Sequence, residues 1–327
     1  MKRLIITKTP MRISFVGGGT DIPEYYEKFE GAVLNATINK YVYIIINKYH
    51  DENKCLLKYS RTELVKNINE IKHPLIKNAL KLTNSWGLDI NSISDISSGT
   101  GLGSSSSFTV GLLHALKIIN SKKIYKENIA ELASKVEITL SKSPIGKQDQ
   151  YAASYGGFNK FIFKKNGKVI VNSISNQINY ELLKKHLLII NTGVEKNNFK
   201  VLSEQKKNIE KGGVYIKNLE YIKNSVDEFI KFLKKNDFKI CGEIIHQNWM
   251  KKKELSKDIN NDYFDKIYNA SLNCGAYGGK ILGAGGRGFL LIMCPIEIKK
   301  IIKKKLNKLK ILDFNFDFSG TTLKTFE

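Results

Sequence analysis

The feature that most constrains this chain is a glycine- and serine-rich loop between a predicted strand and a predicted helix. The loop spans 99–107 and reads Gly-Thr-Gly-Leu-Gly-Ser-Ser-Ser-Ser. Residues 89–96 before it alternate isoleucine with polar residues, as a half-buried strand does, and apolar residues recur at helical spacing after it. Glycines let a backbone approach an anion, and a helix start offers free N–H groups. The pattern therefore predicts a phosphate-binding loop.

This loop differs from the two common nucleotide-binding patterns. The chain contains no G-x-x-x-x-G-K-[ST] sequence, and the third glycine of 99–103 comes one position too early for G-x-G-x-x-G. A flexible glycine-serine linker is the alternative, but strand and helix patterns border the loop on both sides. We therefore expect phosphate binding on a fold other than these two.

The charge of the chain raises a second function class, nucleic-acid binding. Lys and Arg number 53 against 31 Asp and Glu, which gives a net charge of +22. The basic residues are nearly all lysines spread along helical stretches, in a chain rich in Asn and Ile. We therefore expect a solvated basic surface and no nucleic-acid partner, and a basic nucleic-acid-binding protein stays as the alternative from a different function class. Of the four arginines, Arg12 and Arg287 lie in glycine-rich segments. In a chain that mostly uses lysine, these arginines are expected to serve through their planar, two-pronged guanidinium.

The order of predicted elements indicates an α+β protein of two domains. At about 150 residues per domain, a chain of this length holds about two. Antiparallel-looking strands up to residue 173 precede long basic helices, so we divide the chain into 1–175 and 176–327. Residues 64–82 are predicted as a helix with a break at His73-Pro74. No apolar run approaches the roughly 20 residues that span a bilayer, and the first residues do not resemble a signal peptide. A cytoplasmic protein without a membrane partner is expected.

Three further segments carry residues that suit catalysis or binding. Residues 10–21 end a strand in Gly-Gly-Gly-Thr-Asp, where close backbone approach beside a carboxylate suits a sugar. Residues 143–150 follow a helix, and Asp149 in this predicted loop is suited to accept a proton from a hydroxyl nucleophile. Residues 280–289 place four glycines between two strands, so a ligand can lie against the backbone. Each segment also has a purely structural interpretation. This is a tight turn for 10–21, a surface turn for 143–150 and a hairpin for 280–289.

Taken in chain order, the loop 99–107 and these three segments resemble the motifs of the GHMP kinase family. This family includes galactokinases and homoserine, mevalonate and phosphomevalonate kinases. The family's first motif matches 10–21, its phosphate loop matches 99–107 and its last glycine-rich motif matches 283–288, so the resemblance covers the whole chain. It implies an N-terminal ribosomal-protein-S5-like domain and a C-terminal ferredoxin-like domain, with the active site between them. This agrees with the α+β class predicted from the pattern alone.

The resemblance also implies roles for single residues. Asp149 matches the catalytic aspartate that takes the proton of the acceptor hydroxyl, and Arg12 matches the cation that pairs with it. Ser105 and Glu137 match the ligands of Mg²⁺. The residues that match the ATP-phosphate loop are Gly99, Gly101, Leu102, Gly103, Ser104, Ser105 and Ser106. Those assigned to the acceptor are Gly18, Gly19, Thr20, Asp21, Gly285 and Gly286.

Within the family, the chain is most similar to kinases that act on D-glycero-D-manno-heptose 7-phosphate. The stretches that carry this similarity are 17–21, 101–110, 145–150 and the His246, Trp249, Lys252 spacing. The resemblance implies ATP-dependent phosphorylation of the anomeric hydroxyl, giving a 1,7-bisphosphate for nucleotide-activated heptose and surface glycans. The sugar's own phosphate needs a cation, for which Lys252 is the first candidate and Lys147 the second. An unphosphorylated sugar such as L-fucose stays open as the acceptor.

Arg287 is a departure from the family pattern. The family usually has Gly-Ala-Gly-Gly-Gly-Gly where this chain has Gly-Ala-Gly-Gly-Arg-Gly, at 283–288. Our hypothesis is that Arg287 contacts a phosphate of ATP or of the sugar, and the alternative is an outward-pointing surface arginine. The sequence leaves the oligomeric state open between monomer and homodimer.

Overall fold

The computed structural model describes residues 4–120, 124–193, 198–259, 261–286 and 288–326. Up to residue 177 the elements are β1 (Leu4–Val16), α1 (Pro23–Phe29), β2 (Gly31–Lys48), β3 (Cys55–Lys58), β4 (Thr62–Val65), a 3₁₀ turn (Ile68–Glu70), α2 (Pro74–Thr83), β5 (Leu88–Ser94), α3 (Ser104–Ile119), α4 (Lys126–Ser134), a π-helical turn (Lys135–Leu140), α5 (Gln148–Tyr155), β6 (Phe158–Phe163), β7 (Val169–Ser173) and a 3₁₀ turn (Ser175–Gln177). Then come α6 (Tyr180–Lys185), β8 (Leu187–Asn191), α7 (Asn198–Lys211), α8 (Val214–Lys234), α9 (Phe238–Lys253), a 3₁₀ turn (Lys257–Ile259), α10 (Asp262–Asn273), β9 (Gly278–Ile281), β10 (Phe289–Met293), α11 (Ile298–Lys305), β11 (Lys310–Ile311) and β12 (Thr322–Phe326).

The first sheet is built around the long strand β2. Among the described strands the order is β12-β1-β2-β5-β3-β4, with β6 and β7 attached through β2, and only β3 and β5 pair in parallel. The β1–β2 register shifts between Pro10 and Met11 and again between Ser14 and Val16. Such bulges bend a strand and re-aim its side chains. They bracket the segment 11–14, which carries Arg12 toward the cleft described below.

The second sheet has the order β11-β8-β10-β9 and is antiparallel throughout its described strands. Helix α9 packs against β9, where an added Cβ on Gly242 would lie only 2.3 Å from Tyr277 Cβ. An added Cβ on Gly278 would lie 2.1 Å from the Gly242 carbonyl oxygen. The two glycines therefore allow this helix to approach the sheet closely, which sets the position of Lys252 at the end of α9.

One hydrophobic cluster contains side chains from both sheets. Phe15 of β1 stacks on Phe158 of β6 at a ring-centroid distance of 6.2 Å and on Phe229 of α8 at 5.6 Å. All three rings are fully buried. This packing holds the end of β1 against the second half of the chain, so the glycine-rich turn after β1 lies where the two halves meet.

Most predicted elements are confirmed, and so is the α+β class. The predicted helix over 64–82 is wrong in its first half, because 62–65 forms β4 and pairs with β3. The helix begins only at Pro74, since proline fits the first helical turn and disfavours the helical conformation of the residue before it. The division at residue 175 stays a prediction; β12 returns to pair with β1 in the first sheet. Within the described parts of the chain, no helix has both the length and the apolarity to cross a bilayer.

Candidate active site

The strand, loop and helix predicted around 99–107 are confirmed. β5 ends at Ser94 and α3 begins at Ser104. Gly99, Gly101 and Gly103 have φ angles of +72°, +87° and +78°, which other residues rarely adopt. An added Cβ on Gly101 would also lie 2.3 Å from the carbonyl oxygen of Leu282. The glycines therefore bring the start of α3, with the unpaired N–H groups of its first turn, to the edge of a cleft.

Arg12 and Asp149 form a two-point ion pair in this cleft. Arg12 Nε donates to Asp149 Oδ1 at 2.8 Å and Nη2 donates to Oδ2 at 2.6 Å. The third guanidinium nitrogen, Nη1, donates to the carbonyl oxygen of Gly101 at 2.6 Å, and the amide N–H of Arg12 donates to the carbonyl of Leu102 at 2.9 Å. Arg12 is thus a rigid connection between β1, the glycine loop and Asp149. The side chain of Leu102 is fully buried, so only its backbone serves the site.

Asp149 lies on a helix, and the prediction that it lies in a loop is wrong. It is the second residue of α5. The start of α5 is stabilised by Asp21, whose Oδ2 accepts from the Gln148 N–H at 3.3 Å and whose carbonyl accepts from the Lys147 N–H at 3.2 Å. These bonds satisfy donors that a helix start otherwise leaves unpaired. A rigid helix turn therefore presents the carboxylate.

Glu137 is the centre of a buried polar group beside the glycine loop. Its carboxylate accepts from Ser105 Oγ at 2.8 Å, from Ser106 Oγ at 2.7 Å and from Gln150 Nε2. The residue is only 1% exposed, and burial raises the pKa of its carboxyl against the effect of these donors. Glu137 sits on the π-helical turn 135–140, a local widening that often occurs at functional sites. The predicted pair of Ser105 and Glu137 is therefore brought together.

Asp21 lines the cleft but is already engaged by the protein. Oδ1 accepts from the Gly19 N–H at 3.0 Å and from Gln148 Nε2 at 2.9 Å. Burial and the charge of Asp149 raise the pKa of the Asp21 carboxyl, and these donors oppose the shift. An added Cβ on Gly146 would lie 2.0 Å from Asp21 Oδ2, so glycine is required where that loop crosses the carboxylate.

The other residues of the first glycine-rich turn divide into two groups. Gly18 and Gly19 line the cleft. Thr20 is fully buried, and its hydroxyl lies 2.8 Å from the Gly17 carbonyl and accepts from the Ala32 N–H at 3.1 Å. Thr20 therefore holds the turn against β2, and its hydroxyl is used within the protein.

Two lysines near the charged residues of the cleft are buried. Lys252 is 6% exposed, and its Nζ donates to the Gly283 carbonyl at 2.7 Å. Burial lowers the pKa of Lys252 to about 8, with the charge of Asp21 acting in the opposite direction. Lys280 of β9 is 4% exposed and donates to the Phe15 carbonyl at 3.2 Å. Burial and the charge of Lys252 lower its pKa well below the usual range. Lys252 lines the cleft, whereas Lys280 is not among the residues that line it.

Lys147, the second predicted cation, is directed away from the cleft. Its Nζ donates to the Gly167 carbonyl at 2.8 Å and lies 3.3 Å from Glu131 Oε2. It is not among the residues that line the cleft. Its backbone takes part in the site through the bond to Asp21, while its side chain fastens the start of α5 to neighbouring elements.

In the last glycine-rich segment, the residues that line the cleft are not the predicted Gly285 and Gly286. Gly283 and Ala284 line the cleft. Gly285 and Gly286 pack against the 3₁₀ turn, where added Cβ atoms would lie 2.8 Å from Ile259 Cγ2 and 2.9 Å from the Asp258 carbonyl. The hypothesis for Arg287 concerns a residue outside the described parts of the chain.

The cleft as a whole has a volume of about 310 Å³ and is lined from both halves of the chain. Sequence reasoning missed one wall, formed by Phe199, Leu202 and Gln205 of α7 at a spacing of three residues. The helical period of these residues is visible in the sequence, but their types carry no chemistry that would single them out. It also missed the cleft positions of Ser14 and Gln148, which flank Arg12 and Asp149 in the sequence.

Comparison with known proteins gives consistent matches. The model of the N-terminal domain of GHMP kinases matches residues 74–157, and that of their C-terminal domain matches 229–309. A D-glycero-alpha-D-manno-heptose 7-phosphate kinase of Campylobacter jejuni is 32% identical over 97% of this chain and 98% of its own length. A bifunctional fucokinase/GDP-fucose pyrophosphorylase of Arabidopsis thaliana is 27% identical over 91% of this chain and 31% of its own length.

A solved structure supports the same fold. It is a D-glycero-D-manno-heptose 1-phosphate kinase of Bacteroides thetaiotaomicron, with a TM-score of 0.80 and 24% identity over 98% of both chains. These comparisons do not favour the nucleic-acid-binding alternative. The glycine loop at the start of α3, the paired Arg12 and Asp149, and similarity along nearly the whole chain lead to one conclusion. This chain belongs to the GHMP kinase family, and ATP is its phosphoryl donor.

Proposed function

We propose that this chain transfers the γ-phosphoryl group of ATP to the anomeric hydroxyl of D-glycero-D-manno-heptose 7-phosphate. The product would be the 1,7-bisphosphate, a precursor of nucleotide-activated heptose for surface glycans. The observation that carries the reaction is the Arg12–Asp149 pair, placed beside the start of α3. The choice of acceptor rests on the similarity to the Campylobacter jejuni kinase. We also propose a cytoplasmic location, and a monomer or homodimer as the working unit.

In this proposal Asp149 takes the proton from the acceptor hydroxyl as the hydroxyl oxygen attacks the γ-phosphorus, and ADP leaves as the bond between the γ-phosphorus and the β–γ bridging oxygen breaks. Both carboxylate oxygens of Asp149 accept hydrogen bonds from Arg12, so the carboxylate has one fixed orientation. The guanidinium and the N–H groups at the start of α3 would offset the negative charge of the transferring group. Gly99, Gly101, Gly103 and Ser104–Ser106 are proposed to hold the ATP phosphates, with close approach allowed by the positive φ angles of the three glycines.

Ser105 and Glu137 fit a divalent cation. Hydroxyl and carboxylate oxygens suit Mg²⁺, and a buried carboxylate without a cation is costly. Among the described residues, no group of three or more His, Cys, Asp or Glu could hold a metal ion by itself. Mg²⁺ usually keeps waters and substrate phosphates among its ligands, so one carboxylate and one hydroxyl suffice for a site completed by ATP. When bound, Mg²⁺ would neutralise phosphate charge.

Replacing Glu137 with glutamine tests this cation site. The neutral amide has nearly the same shape, so we expect the fold to persist and the Mg²⁺ concentration for half-maximal rate to rise about tenfold or more. Titration of Mg²⁺ at saturating ATP and acceptor measures this concentration. E127Q is the control, since Glu127 is exposed on α4 and lies outside the residues that line the cleft. An unchanged Mg²⁺ requirement in E137Q would contradict the assignment.

Lys252 is the predicted cation that lines the cleft, and we propose that it binds the phosphorylated acceptor. Its pKa of about 8 predicts that kcat/KM for the acceptor falls as pH rises through about 8, because the free enzyme then loses the ammonium charge. Loss of stability through Lys252 does not explain this fall in kcat/KM. The pKa of Lys252 is lowered from 10.5 in the folded state, so the unfolded chain binds more protons between about pH 8 and 10.5. In that range the contribution of Lys252 to the free energy of unfolding therefore rises with pH.

A pH profile of kcat/KM for wild type and K252M checks this role. The charged groups around Lys252 are Asp21, Arg12, Asp149 and Lys280. We expect K252M to have a lower acceptor kcat/KM at pH 7 and to lack the decline near pH 8. If K252M keeps the same decline, another group causes it and the assignment of Lys252 is wrong.

The acceptor itself is tested by coupled ADP release with Mg-ATP. The panel is D-glycero-D-manno-heptose 7-phosphate, the unphosphorylated heptose, mannose and L-fucose. We expect turnover on the 7-phosphate to exceed turnover on each neutral sugar by at least about 100-fold in kcat/KM, since a charge-assisted contact is lost without the phosphate. Preference for a neutral sugar would leave the kinase family unchanged and would refute the heptose 7-phosphate assignment.

A further inference from the structure

Of the buried polar atoms without a hydrogen-bond partner among the described residues, two belong to side chains that line the cleft. They are Ser14 Oγ and Gln148 Oε1. Ser14 follows Arg12 by two positions on β1, so the two side chains lie on the same face of the strand. Gln148 directly precedes Asp149 on α5. Leaving such atoms unpaired is costly, and in a binding cleft a ligand can supply the missing bonds.

Gly18 leaves a space next to these two residues. An added Cβ on Gly18 would lie 3.6 Å from Ser14 Oγ, 3.8 Å from Gln148 Nε2 and 3.9 Å from Lys252 Nζ, all ordinary contact distances. The φ angle of Gly18 is not positive, whereas Gly17 and Gly19 have φ of +90° and +105°. The backbone therefore requires glycine at 17 and 19 but not at 18. The absence of a side chain at Gly18 keeps a small polar space open in the cleft.

The donor and acceptor pattern around this space selects the kind of group that fits it. Gln148 Nε2 donates to Asp21 Oδ1, which fixes the amide and leaves Oε1 as an acceptor only. Ser14 Oγ can donate or accept, and the Lys252 ammonium, which is assigned above to the phosphate of the acceptor, only borders this space. A phosphate oxygen cannot donate to Gln148 Oε1, and the Asp21 carboxylate repels it. A sugar hydroxyl both donates and accepts.

We propose that Ser14 and Gln148, over the bare backbone of Gly18, bind the acceptor hydroxyl next to the one that is phosphorylated. The adjacent hydroxyl is chosen because Ser14 shares a strand face with Arg12 and Gln148 directly precedes Asp149 on α5. This inference rests on the proposed function for the identity of the reacting hydroxyl, and it makes Ser14 and Gln148 determinants of sugar specificity. For an anomeric kinase the adjacent hydroxyl is that of C2.

The test compares each enzyme on the preferred acceptor and on its 2-deoxy analogue. We expect wild type to prefer the parent sugar by about 10- to 100-fold in kcat/KM, because the analogue leaves the two buried atoms unpaired. Ser14→Ala is expected to reduce this preference about tenfold by lowering activity on the parent sugar more than on the analogue. Q148M is expected to do the same, and thermal unfolding checks its loss of the bond to Asp21.

Gly18→Ala gives a second, independent test. The added methyl group fits the backbone but fills the space, so we expect the acceptor KM to rise at least about tenfold. The KM for ATP and the thermal midpoint are expected to stay as in wild type. Ser173→Ala removes an exposed hydroxyl from β7 and is the matched control, with no expected change in the preference for the parent sugar.

Two results would overturn the inference. One is an unchanged preference for the parent sugar in both S14A and Q148M, which would assign the unpaired atoms, with Asn35 Oδ1, to a buried water. The other is an acceptor KM in G18A equal to that of wild type. The wild-type panel decides the proposed function separately. If wild type prefers another sugar, the same variants are compared on that sugar and its 2-deoxy analogue, so the two ideas fail independently.

Discussion

Replacing Asp149 with asparagine is expected to lower kcat by about 10³-fold while ATP still binds. Asparagine keeps the size of the side chain and a contact with Arg12, but it cannot take a proton from the acceptor hydroxyl. Proton transfer by a positioned side chain contributes roughly 10²- to 10⁴-fold, and losing the carboxylate charge also disturbs the guanidinium that is proposed to offset the charge of the phosphoryl group. Coupled ADP release at saturating substrates measures kcat, and nucleotide titration measures ATP binding.

Asp262→Asn is the matched control for this variant. Asp262 is also an aspartate in the first turn of a helix, is exposed and lies outside the cleft lining. We expect D262N to keep wild-type kcat and both variants to unfold near the wild-type temperature. If D149N kept more than about a tenth of the wild-type kcat, Asp149 would not be the group that accepts the proton.

Replacing Arg12 with lysine is expected to lower kcat/KM by about 100-fold. Lysine keeps the positive charge but not the planar fork that reaches both oxygens of Asp149 and the Gly101 carbonyl together. Asp149 would then lose its fixed orientation, and the glycine loop would lose a bond to β1. Steady-state rates with ATP and acceptor varied in turn measure the loss for each substrate.

Arg61→Lys is the control, because Arg61 is an exposed arginine in the turn between β3 and β4. We expect R61K to match wild type. The double variant of Arg12 and Asp149 gives a further check, since residues that act as one unit lose far less together than the sum of their separate losses. Full additivity of the two losses would show that the pair does not act as a unit.

The parts of the fold that depend on local patterns were predictable from the sequence. The glycine loop before α3 is one, because alternating strand residues, three glycines and a helical apolar stripe all lie within one stretch. The positive φ angles of the loop follow from those glycines. The helix predicted over 64–82 failed at its start because pairing of β4 with β3 decides the structure of 62–65, and helical propensity cannot show that pairing.

The parts of the site that depend on distant contacts were not predictable from the residues alone. Asp149 and Arg12 are 137 positions apart, and only the family resemblance paired them. Helix α5 begins where it does because Asp21, 127 positions before Gln148, accepts from its N–H. Lys147 adjoins the site in sequence, yet its ammonium is bound to Gly167 and Glu131.

The pairing of β1 with β12 has a consequence for how the protein is made. Leu4 lies opposite Phe326, so one edge of the first sheet is completed by the last described strand. A ribosome synthesises β1 long before β12, and until β12 emerges the nascent chain carries an unpaired strand edge. Contacts between such distant parts of a chain also slow folding. We therefore expect chaperone capture of the incomplete chain to fall only once β12 has left the ribosome.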